Sequence, residues 1–189
     1  MPGYKDKKLL YHLTKLTNIP SILDNGLLPR AQLKKFDDVA DQEIIRNRQA
    51  LKLENYVPFH WFAGNPFDGR VKKDHKDSYF ALISVRRALA EKEDWVVIPY
   101  HPLANRNPEL LSYKNGVDRI NWATMDRRNY HDAQRKSVCM AECLAPRVVH
   151  VRDFFRIYAP DERVAGWIRK HLAERRIPLE VDVNCGMFC

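Results

Sequence analysis

The sequence predicts a mixed α+β fold, taken as one domain over residues 1–189. Its strand-like runs are short and do not alternate regularly with helical segments, which argues against a doubly wound parallel sheet. No glycine-rich turn of the dinucleotide-binding type follows a strand, so a bound dinucleotide would require a different fold. A clear amphipathic helix is predicted over residues 162–175. Its apolar side chains recur at helical spacing: Val164, Trp167, Ile168 and Leu172.

The chain opens with a predicted strand followed by a compact helix. Residues 9–14 form a short run of mixed apolar and polar positions that favours a strand. Residues 18–28 favour a helix, because Asn18 is a typical N-cap, Pro20 suits the first turn and Gly26 is a typical terminator. The apolar residues of this helix share one face, so we expect that face to pack against the body of the domain.

Further strands follow at irregular intervals. The polar segment 31–53 is predicted to combine a loop with a short helix. Residues 56–62 favour a strand, which we expect at a sheet edge or a bulge because Pro58 lacks a backbone N–H. Residues 138–144 are compatible with a helix or a strand. Short apolar runs predict the remaining strands: residues 78–85, 95–99, 148–151, 154–159 and 179–183.

Composition and charge narrow the class of protein. With 45% hydrophobic and 11% aromatic residues, the chain can bury a core and does not belong to the disordered class. No run approaches the roughly 18 apolar residues of a membrane span. The N-terminus lacks the apolar stretch of a signal peptide, so we expect a cytoplasmic protein without membrane association. The net charge of +8 indicates a polyanionic partner, most often nucleic acid, although many soluble proteins are basic without binding anions.

The four cysteines form two pairs that could suggest a metal site. Three residues separate Cys139 from Cys143, and three separate Cys185 from Cys189. Structural zinc sites usually place two residues between paired cysteines, on a supporting turn. We therefore expect no metal and reduced thiols.

Three segments carry polar residues in positions typical of functional sites. His12 lies in a strand that runs into a helix, so it could reach a ligand there or be a half-buried structural histidine. Arg46 and Arg48 could bind phosphate through bidentate guanidinium contacts or lie on a solvated helix face. Glu142 is the only acid in the apolar run 138–146. A carboxylate buried there requires a partner, which indicates either a functional acid or a structural salt bridge.

A basic and aromatic segment over residues 126–136 is typical of single-strand binding, because cations follow phosphates while flat rings stack on bases. The candidate nucleic-acid ligands in it are Arg127, Arg128, Tyr130, His131, Arg135 and Lys136. Arg70, Lys72 and Lys73 form a second basic cluster beside Phe67. The alternative for both is a solvated loop. Chemistry on a base also requires the base to be unstacked.

Short matches in chain order make the sequence resemble the DarT family of DNA ADP-ribosyltransferases, the toxin half of a toxin–antitoxin pair. Residues 11–14 and 18–27 are similar to the family's N-terminal NAD-binding signature, and Arg46-Asn47-Arg48 to its basic helix. Residues 56–59 are similar to its sheet motif. Residues 120–122 and 140–142 are similar to the end of its substrate loop and to its catalytic acid.

This resemblance implies the ADP-ribosyltransferase fold, a split mixed sheet with flanking helices that holds NAD, as a substrate, in a cleft. It implies that His12 binds the nicotinamide-side ribose and that Thr14 and Asn18 line the same pocket. Gly26 and Leu27, at the end of the matched signature, belong to the implied NAD site. Arg46 is implied to act at the NAD phosphates or the substrate and in catalysis, and Arg48 at the nucleic acid. Glu142 is implied to be the catalytic acid.

The chemistry suits these residues. Cleavage of the bond to nicotinamide develops oxocarbenium character on the ribose, which a carboxylate stabilises. The same carboxylate can accept the proton of the attacking base nitrogen. The sequence departs from the family after residues 56–59, where His60-Trp61-Phe62 replaces Tyr-Phe, and in the loop 126–136. The modified base therefore remains open.

Several alternatives follow from the residues. The implied substrate is single-stranded DNA, with RNA or protein as alternative targets, and an active toxin implies a cognate antitoxin. A non-enzymatic nucleic-acid-binding domain would need only the charge. A metal-dependent nuclease is disfavoured, because no cluster of acids and histidines occurs at ligand spacing.

Overall fold

The computed structural model describes residues 3–34, 36–37, 42–104, 108–128 and 130–188. Part of the segment 31–53, Asn129 of the basic segment and Cys189 of the second cysteine pair lie outside the described residues. The strands are β1 Leu9–Lys15, β2 Val57–His60, β3 Phe80–Arg86, β4 Val96–Ile98, β5 Glu142–Ala145, β6 Phe154–Ala159 and β7 Val181–Val183. The α-helices are α1 Ile19–Asn25, α2 Gln42–Ala50, α3 Pro66–Asp74, α4 Arg87–Lys92, α5 Tyr113–Arg119, α6 Trp122–Arg127, α7 Ala133–Val138 and α8 Glu162–Glu174.

The strands form one open sheet in the order β4-β5-β2-β1-β3-β6-β7. Every neighbouring pair is antiparallel except β6 and β7, which are parallel. The sheet is therefore mixed and carries flanking helices, which confirms the predicted α+β class. Among the described residues, no helix is both long and apolar enough to cross a membrane.

The centre of the sheet is split between β1 and β2. Strand β1 pairs with β3 along its whole length, but it pairs with β2 only through Tyr11 and His60. The prediction that Pro58 marks a sheet edge is wrong, since β2 lies between β1 and β5. The N–H and C=O of one strand residue point to the same neighbour, so the missing N–H of Pro58 faces the splayed side. There the Pro58 carbonyl accepts a hydrogen bond from His12 Nδ1 at 2.8 Å.

The N-terminal helix was predicted correctly in position, but its cap differs. Asn18 precedes α1, yet its side chain makes no capping bond. It donates to the Asp37 carbonyl and accepts from the Asp37 amide, at 2.9 Å each, and so holds the following loop. Gly26 ends α1 with a positive φ of 80°. A Cβ there would lie 2.6 Å from the Val149 carbonyl oxygen, so both conformation and space require glycine.

The remaining element predictions were mostly confirmed. Helix α8 covers the predicted C-terminal amphipathic segment and is capped by Asp161, whose side chain accepts from the Val164 amide. Residues 138–144 contain both alternatives, the end of α7 and the start of β5. The predicted strand over residues 148–151 is wrong. Val149 makes only an isolated bridge to Leu27, because the chain turns into a 3-10 turn at Val151–Asp153.

A continuous apolar core joins the sheet to its helices. Fully buried aromatic side chains at its centre include Phe59, Trp61 and Trp95. Helix α5 packs so closely on β4 that a Cβ on Gly116 would lie 2.3 Å from Val97 Cβ. The buried cation Arg87 stacks on Trp61 and donates to four backbone carbonyls, which tie the N-terminal segment to the sheet. This packing fixes β2 and β5, the strands that carry the site.

Candidate functional site

A cavity of about 430 Å³ opens where β1 and β2 separate. This volume lies within the roughly 300–1,000 Å³ that is typical of small-molecule sites. Strands β1, β2 and β5, helices α1 and α2, and the loop after α1 all contribute to its lining. The polar residues of the lining include His12, Arg48, Glu54, His60, His101 and Glu142.

The cavity contains a buried ion pair between α2 and β5. Arg48 Nη1 donates to both oxygens of Glu142, at 2.9 and 3.0 Å. The side chains are only 15% and 8% exposed, so solvent screens the pair weakly. Residue Glu142 is the first of β5, where it directly opposes His60 of β2 and Ile98 of β4. The sheet therefore fixes the backbone of the carboxylate, and Arg48 fixes its head group.

His12 lies on the opposite side of the split. Its Nδ1 contacts the Pro58 carbonyl, and its ring packs against Phe59 with centroids 5.7 Å apart. Burial lowers the pKa of His12 to about 4, and the hydrogen bond to Pro58 only partly offsets this. At neutral pH the ring is therefore uncharged. With Nδ1–H donating, Nε2 is left as an acceptor.

The other candidate NAD ligands also lie in the cavity lining. Asn18 Nδ2 contacts Thr14 Oγ1 at 3.3 Å, so β1 and the start of α1 are joined at this wall. Gly26 and Leu27 follow α1, and backbone hydrogen bonds of 2.9 and 3.0 Å pair Leu27 with Val149. The structure therefore brings five candidates together with Glu142: His12, Thr14, Asn18, Gly26 and Leu27.

Of the two candidate arginines on α2, Arg48 contacts Glu142, whereas Arg46 is exposed and lies outside the described cavity lining. Residues two positions apart on a helix point in nearly opposite directions, which explains the difference. The sequence expectation put Arg46 at the catalytic centre and Arg48 at the nucleic acid. The structure places Arg48 at the carboxylate instead.

The basic segment lies outside the cavity. Arg127 and Arg128 end α6, and the guanidinium of Arg128 lies over the rings of Tyr4 and Phe62 at 5.0 and 4.9 Å. Tyr130 is half-buried. His131, Arg135 and Lys136 are exposed at and within α7, the helix that leads into β5. Within the described part of the chain, the nucleic-acid candidates other than Arg48 line no wall of the cavity.

Several cavity residues were not among the site residues predicted from the sequence, although His60 belongs to the departure from the family motif, and Phe67 and Arg70 to the second basic cluster. His60, His101 and Glu54 line the cavity, as do Phe67 and Arg70 at the start of α3. Burial lowers the pKa of His101, while the nearby Glu142 charge acts in the opposite direction. A capping pattern, Asn65 followed by Pro66 and Asp68, would have predicted α3 and drawn attention to this wall.

Three buried polar atoms of the lining have no hydrogen-bond partner within the described residues: Arg48 Nη2, Glu54 Oε2 and His60 Nδ1. Buried polar groups are normally paired, so each such atom calls for an explanation. All three belong to side chains that line the cavity, which favours a polar ligand as the missing partner.

The described cysteines are poor candidates for metal ligands. Cys139 and Cys143 are buried and Cys185 is exposed. Burial raises the pKa of the Cys143 thiol well above its usual range, which disfavours the thiolate that a metal would need. Across the described ranges, no group of three or more His, Cys, Asp or Glu side chains could hold a metal ion.

Comparison with known proteins identifies one family. Residues 11–189 match the profile of the family described as "ssDNA thymidine ADP-ribosyltransferase, DarT". A relative from Thermosipho africanus, named a "DNA ADP-ribosyl transferase-DNA ADP-ribosyl glycohydrolase fusion protein", is 26% identical over 189 residues. The match covers 92% of this chain and 48% of the relative, so the chain spans about half of that protein's length.

Solved structures share the fold. A structure described as "Thermus sp. 2.9 DarT in complex with ADP-ribosylated ssDNA" superposes with a TM-score of 0.81 at 16% identity, over 96% of both chains. A second structure of that protein, "in complex with NAD+", gives a TM-score of 0.78 at 15% identity, over 97% of this chain and 98% of the other. The split sheet described above is therefore the fold of these proteins.

Proposed function

Because the chain belongs to the DarT family, we propose that it transfers ADP-ribose from NAD to a base of single-stranded DNA. The observation that carries the proposal is the buried Arg48–Glu142 pair, which lines the same cavity of about 430 Å³ as His12. Thermus structures of the same fold were solved with NAD+ and with ADP-ribosylated single-stranded DNA, which supports both substrates. Family membership and geometry agree on the reaction class.

Glu142 and His12 have different roles toward NAD. Departure of nicotinamide leaves oxocarbenium character on the ribose, and the largely buried Glu142 carboxylate stabilises that charge. Arg48 fixes the orientation of the carboxylate through contacts to both oxygens. His12, neutral and anchored to Pro58, offers Nε2 as an acceptor to a ribose hydroxyl. Thr14, Asn18, Gly26 and Leu27 complete the NAD wall.

Arg46 has a separate role in this proposal. It is exposed on α2, two residues before Arg48, where a guanidinium can bind a phosphate of the incoming strand. The arrangement thus exchanges the roles that the sequence suggested for Arg46 and Arg48.

The basic segment then guides the strand. Arg127, Arg128, Arg135 and Lys136 supply cations on the surface, with Tyr130 and His131 between them. Because these side chains lie outside the cavity, they bind flanking nucleotides while a single unstacked base enters the cavity. Thymine is the first base to test, since the family description names thymidine.

We also propose a cytoplasmic toxin role with a cognate antitoxin. DNA lies in the cytoplasm of a bacterial cell, and an enzyme that modifies its bases blocks copying unless the modification is removed. The Thermosipho africanus relative carries a DNA ADP-ribosyl glycohydrolase in the same chain, which is an activity of that reversing kind. The partner of this chain would accordingly be a glycohydrolase or a protein that masks the cavity.

The test is mass spectrometry of single-stranded oligonucleotides after incubation with NAD. Separate reactions with DNA of each base, with RNA and with protein identify the target. We expect a gain of one ADP-ribose on DNA, and a loss on the order of a hundredfold or more in Glu142→Gln. Glu174→Gln, at a half-exposed position on α8, is the matched control. A gain on RNA or protein alone would change the substrate class, and an unaffected Glu142→Gln would remove this carboxylate from the mechanism. No gain on any substrate would favour a non-enzymatic binding domain.

A further inference from the structure

A second buried acid lies beside the cavity, on α3. Asp68 is 2% exposed and Asn65 1% exposed. Asp68 Oδ2 accepts from the Gly64 amide and from Asn65 Nδ2, each at 2.9 Å. Asn65 in turn caps α3 by accepting from the amides of Phe67 and Asp68. These bonds fix the carboxyl group in one orientation.

Only one oxygen of Asp68 is used by this network. Asp68 Oδ1 is buried and has no hydrogen-bond partner among the described residues. Burial raises the pKa of the Asp68 carboxyl, and the nearby His60 acts in the opposite direction. A rigid acid with one unused oxygen calls for a donor, and two side chains that interact with it carry a buried polar atom without a partner among the described residues: His60 Nδ1 and the Tyr130 hydroxyl. Of these two, His60 lines the cavity and Tyr130 does not.

His60 connects this acid to the site. Its side chain is 6% exposed, it lines the cavity, and its ring stacks on Phe67 of α3 with centroids 5.4 Å apart. Across the β2–β5 ladder His60 directly opposes Glu142, so the two side chains project from the same face of the sheet. His60 Nδ1 is buried and unpaired within the described residues, as is Asp68 Oδ1.

We propose that His60 is the base of the transfer step and that Asp68 is its positioning residue. This inference rests on the proposed function. The C1′–N bond to nicotinamide breaks with its electron pair going to nicotinamide, and a ring nitrogen of the target base forms the new bond to C1′. The proton of that nitrogen passes to His60 Nε2. Nδ1–H donates to Asp68 Oδ1, and the contact tightens as the substrate binds.

The alternative proton acceptor is Glu142, and its contacts argue against it. Both Glu142 oxygens already accept from Arg48 Nη1. A carboxylate held in this way stabilises positive charge well, and taking a proton would remove the negative charge that strengthens both hydrogen bonds from the guanidinium. His60 lies next to it on the sheet with an unpaired nitrogen. Stabilisation of the positive charge is therefore assigned to Glu142, and acceptance of the proton to His60.

The experiment measures transfer to an oligonucleotide in single turnover, alongside NAD binding by the same protein. We expect His60→Gln to bind NAD as the wild type does and to transfer at least about a hundredfold more slowly. In His60→Ala, added imidazole should restore part of the rate, because the free base occupies the space of the lost ring. His150→Gln, at an exposed position, is the matched control and should be unaffected.

Asp68→Asn tests the positioning role. An asparagine retains an acceptor for Gly64 and Asn65, but it turns an NH₂ toward His60, which favours the tautomer with the proton on Nε2. We expect a loss in kcat with little change in KM for NAD and an unchanged melting temperature. Ala63→Ser, on the same loop, is the control for general effects of a substitution near α3.

The outcomes separate the two proposals. If the wild type transfers ADP-ribose and His60→Gln does so within a few-fold of the wild-type rate, the role of His60 is overturned and the proposed function stands. The same conclusion follows if imidazole does not restore activity to a folded His60→Ala. A loss in Asp68→Asn through KM or melting temperature alone overturns the positioning role. Absence of transfer by the wild type to any nucleic acid overturns the proposed function, and this inference with it.

Discussion

Lowering the pH from about 7 to about 4.5 should destabilise the protein through His12. The ring is uncharged and buried in the fold, where its pKa is about 4, against 6.5 as the ordinary value. The folded state therefore binds fewer protons than the unfolded state between these two values. The contribution of His12 is fully present above about pH 6.5 and is lost as the pH falls toward 4.

The size of the effect follows from the shift. A difference of 2.5 pKa values, at about 1.4 kcal/mol each, gives roughly 3 kcal/mol for complete protonation. About 2.5 kcal/mol of this is lost by pH 4.5, which corresponds to a fall of roughly 5–10 °C in melting temperature. The ring also faces the cavity, where water can reach the imidazolium, so these figures are upper bounds.

The assay is urea unfolding of the wild type and of His12→Asn across this pH range. Asparagine places an N–H where His12 Nδ1 donates to Pro58, so it retains the hydrogen bond and removes the titrating group. The carboxylates titrate equally in both proteins and cancel in the difference. The two stability curves should converge as the pH falls. Curves that stay parallel from pH 7 to pH 4.5 would refute the argument, and His150→Asn should remain parallel to the wild type.

Two matched pairs of substitutions test the site and the packing. Arg48→Lys should slow transfer by roughly ten- to a hundredfold, since a lysine ammonium lacks the planar guanidinium and its second nitrogen, Nη2, which is left for a ligand. Arg46→Lys should keep wild-type kcat, and the reverse ranking in initial rates would return the catalytic role to Arg46. Gly116→Ala should destabilise the fold by roughly 1–3 kcal/mol because its methyl group overlaps Val97. Gly69→Ala, with open space around the new atom, should stabilise it by about 0.5–1 kcal/mol, and equal urea midpoints for both alanine variants would contradict the close contact.

Local patterns predicted the positions of the seven described strands and of helices α1, α2 and α8, whereas helices α3 to α6 and most of α7 were not predicted. Strand β1, strand β3 and helix α8 were predicted close to their observed bounds, because apolar periodicity and capping residues act within each segment. The errors involved information from elsewhere in the chain. Pro58 is tolerated inside the sheet because β1 diverges from β2, a fact that the residues around Pro58 do not contain. Residues 148–151 have the composition of a strand but find only Leu27 as a bridge partner.

The site was partly visible in the sequence. Glu142 was conspicuous as the one acid in an apolar run, and His12 through its place in a matched signature. The roles of Arg46 and Arg48 could not be separated, since both are cations on one helix and only the packing of α2 decides which faces inward. His60 was noted only as part of a departure from the family motif, and its pairing with Asp68 was not predicted, because the two residues lie on different elements, β2 and α3.

The unpaired polar atoms of the cavity have a consequence for inhibition. Arg48 Nη2 and Glu54 Oε2 are buried and have no hydrogen-bond partner among the described residues. A compound that reaches these atoms therefore does not have to break a protein hydrogen bond first. A small scaffold bearing an acceptor for the guanidinium and a donor for the carboxylate would gain both interactions at once. Such a molecule would inhibit the protein without imitating the pyrophosphate of a nucleotide. It would thus avoid the negative charge that keeps nucleotide mimics out of cells.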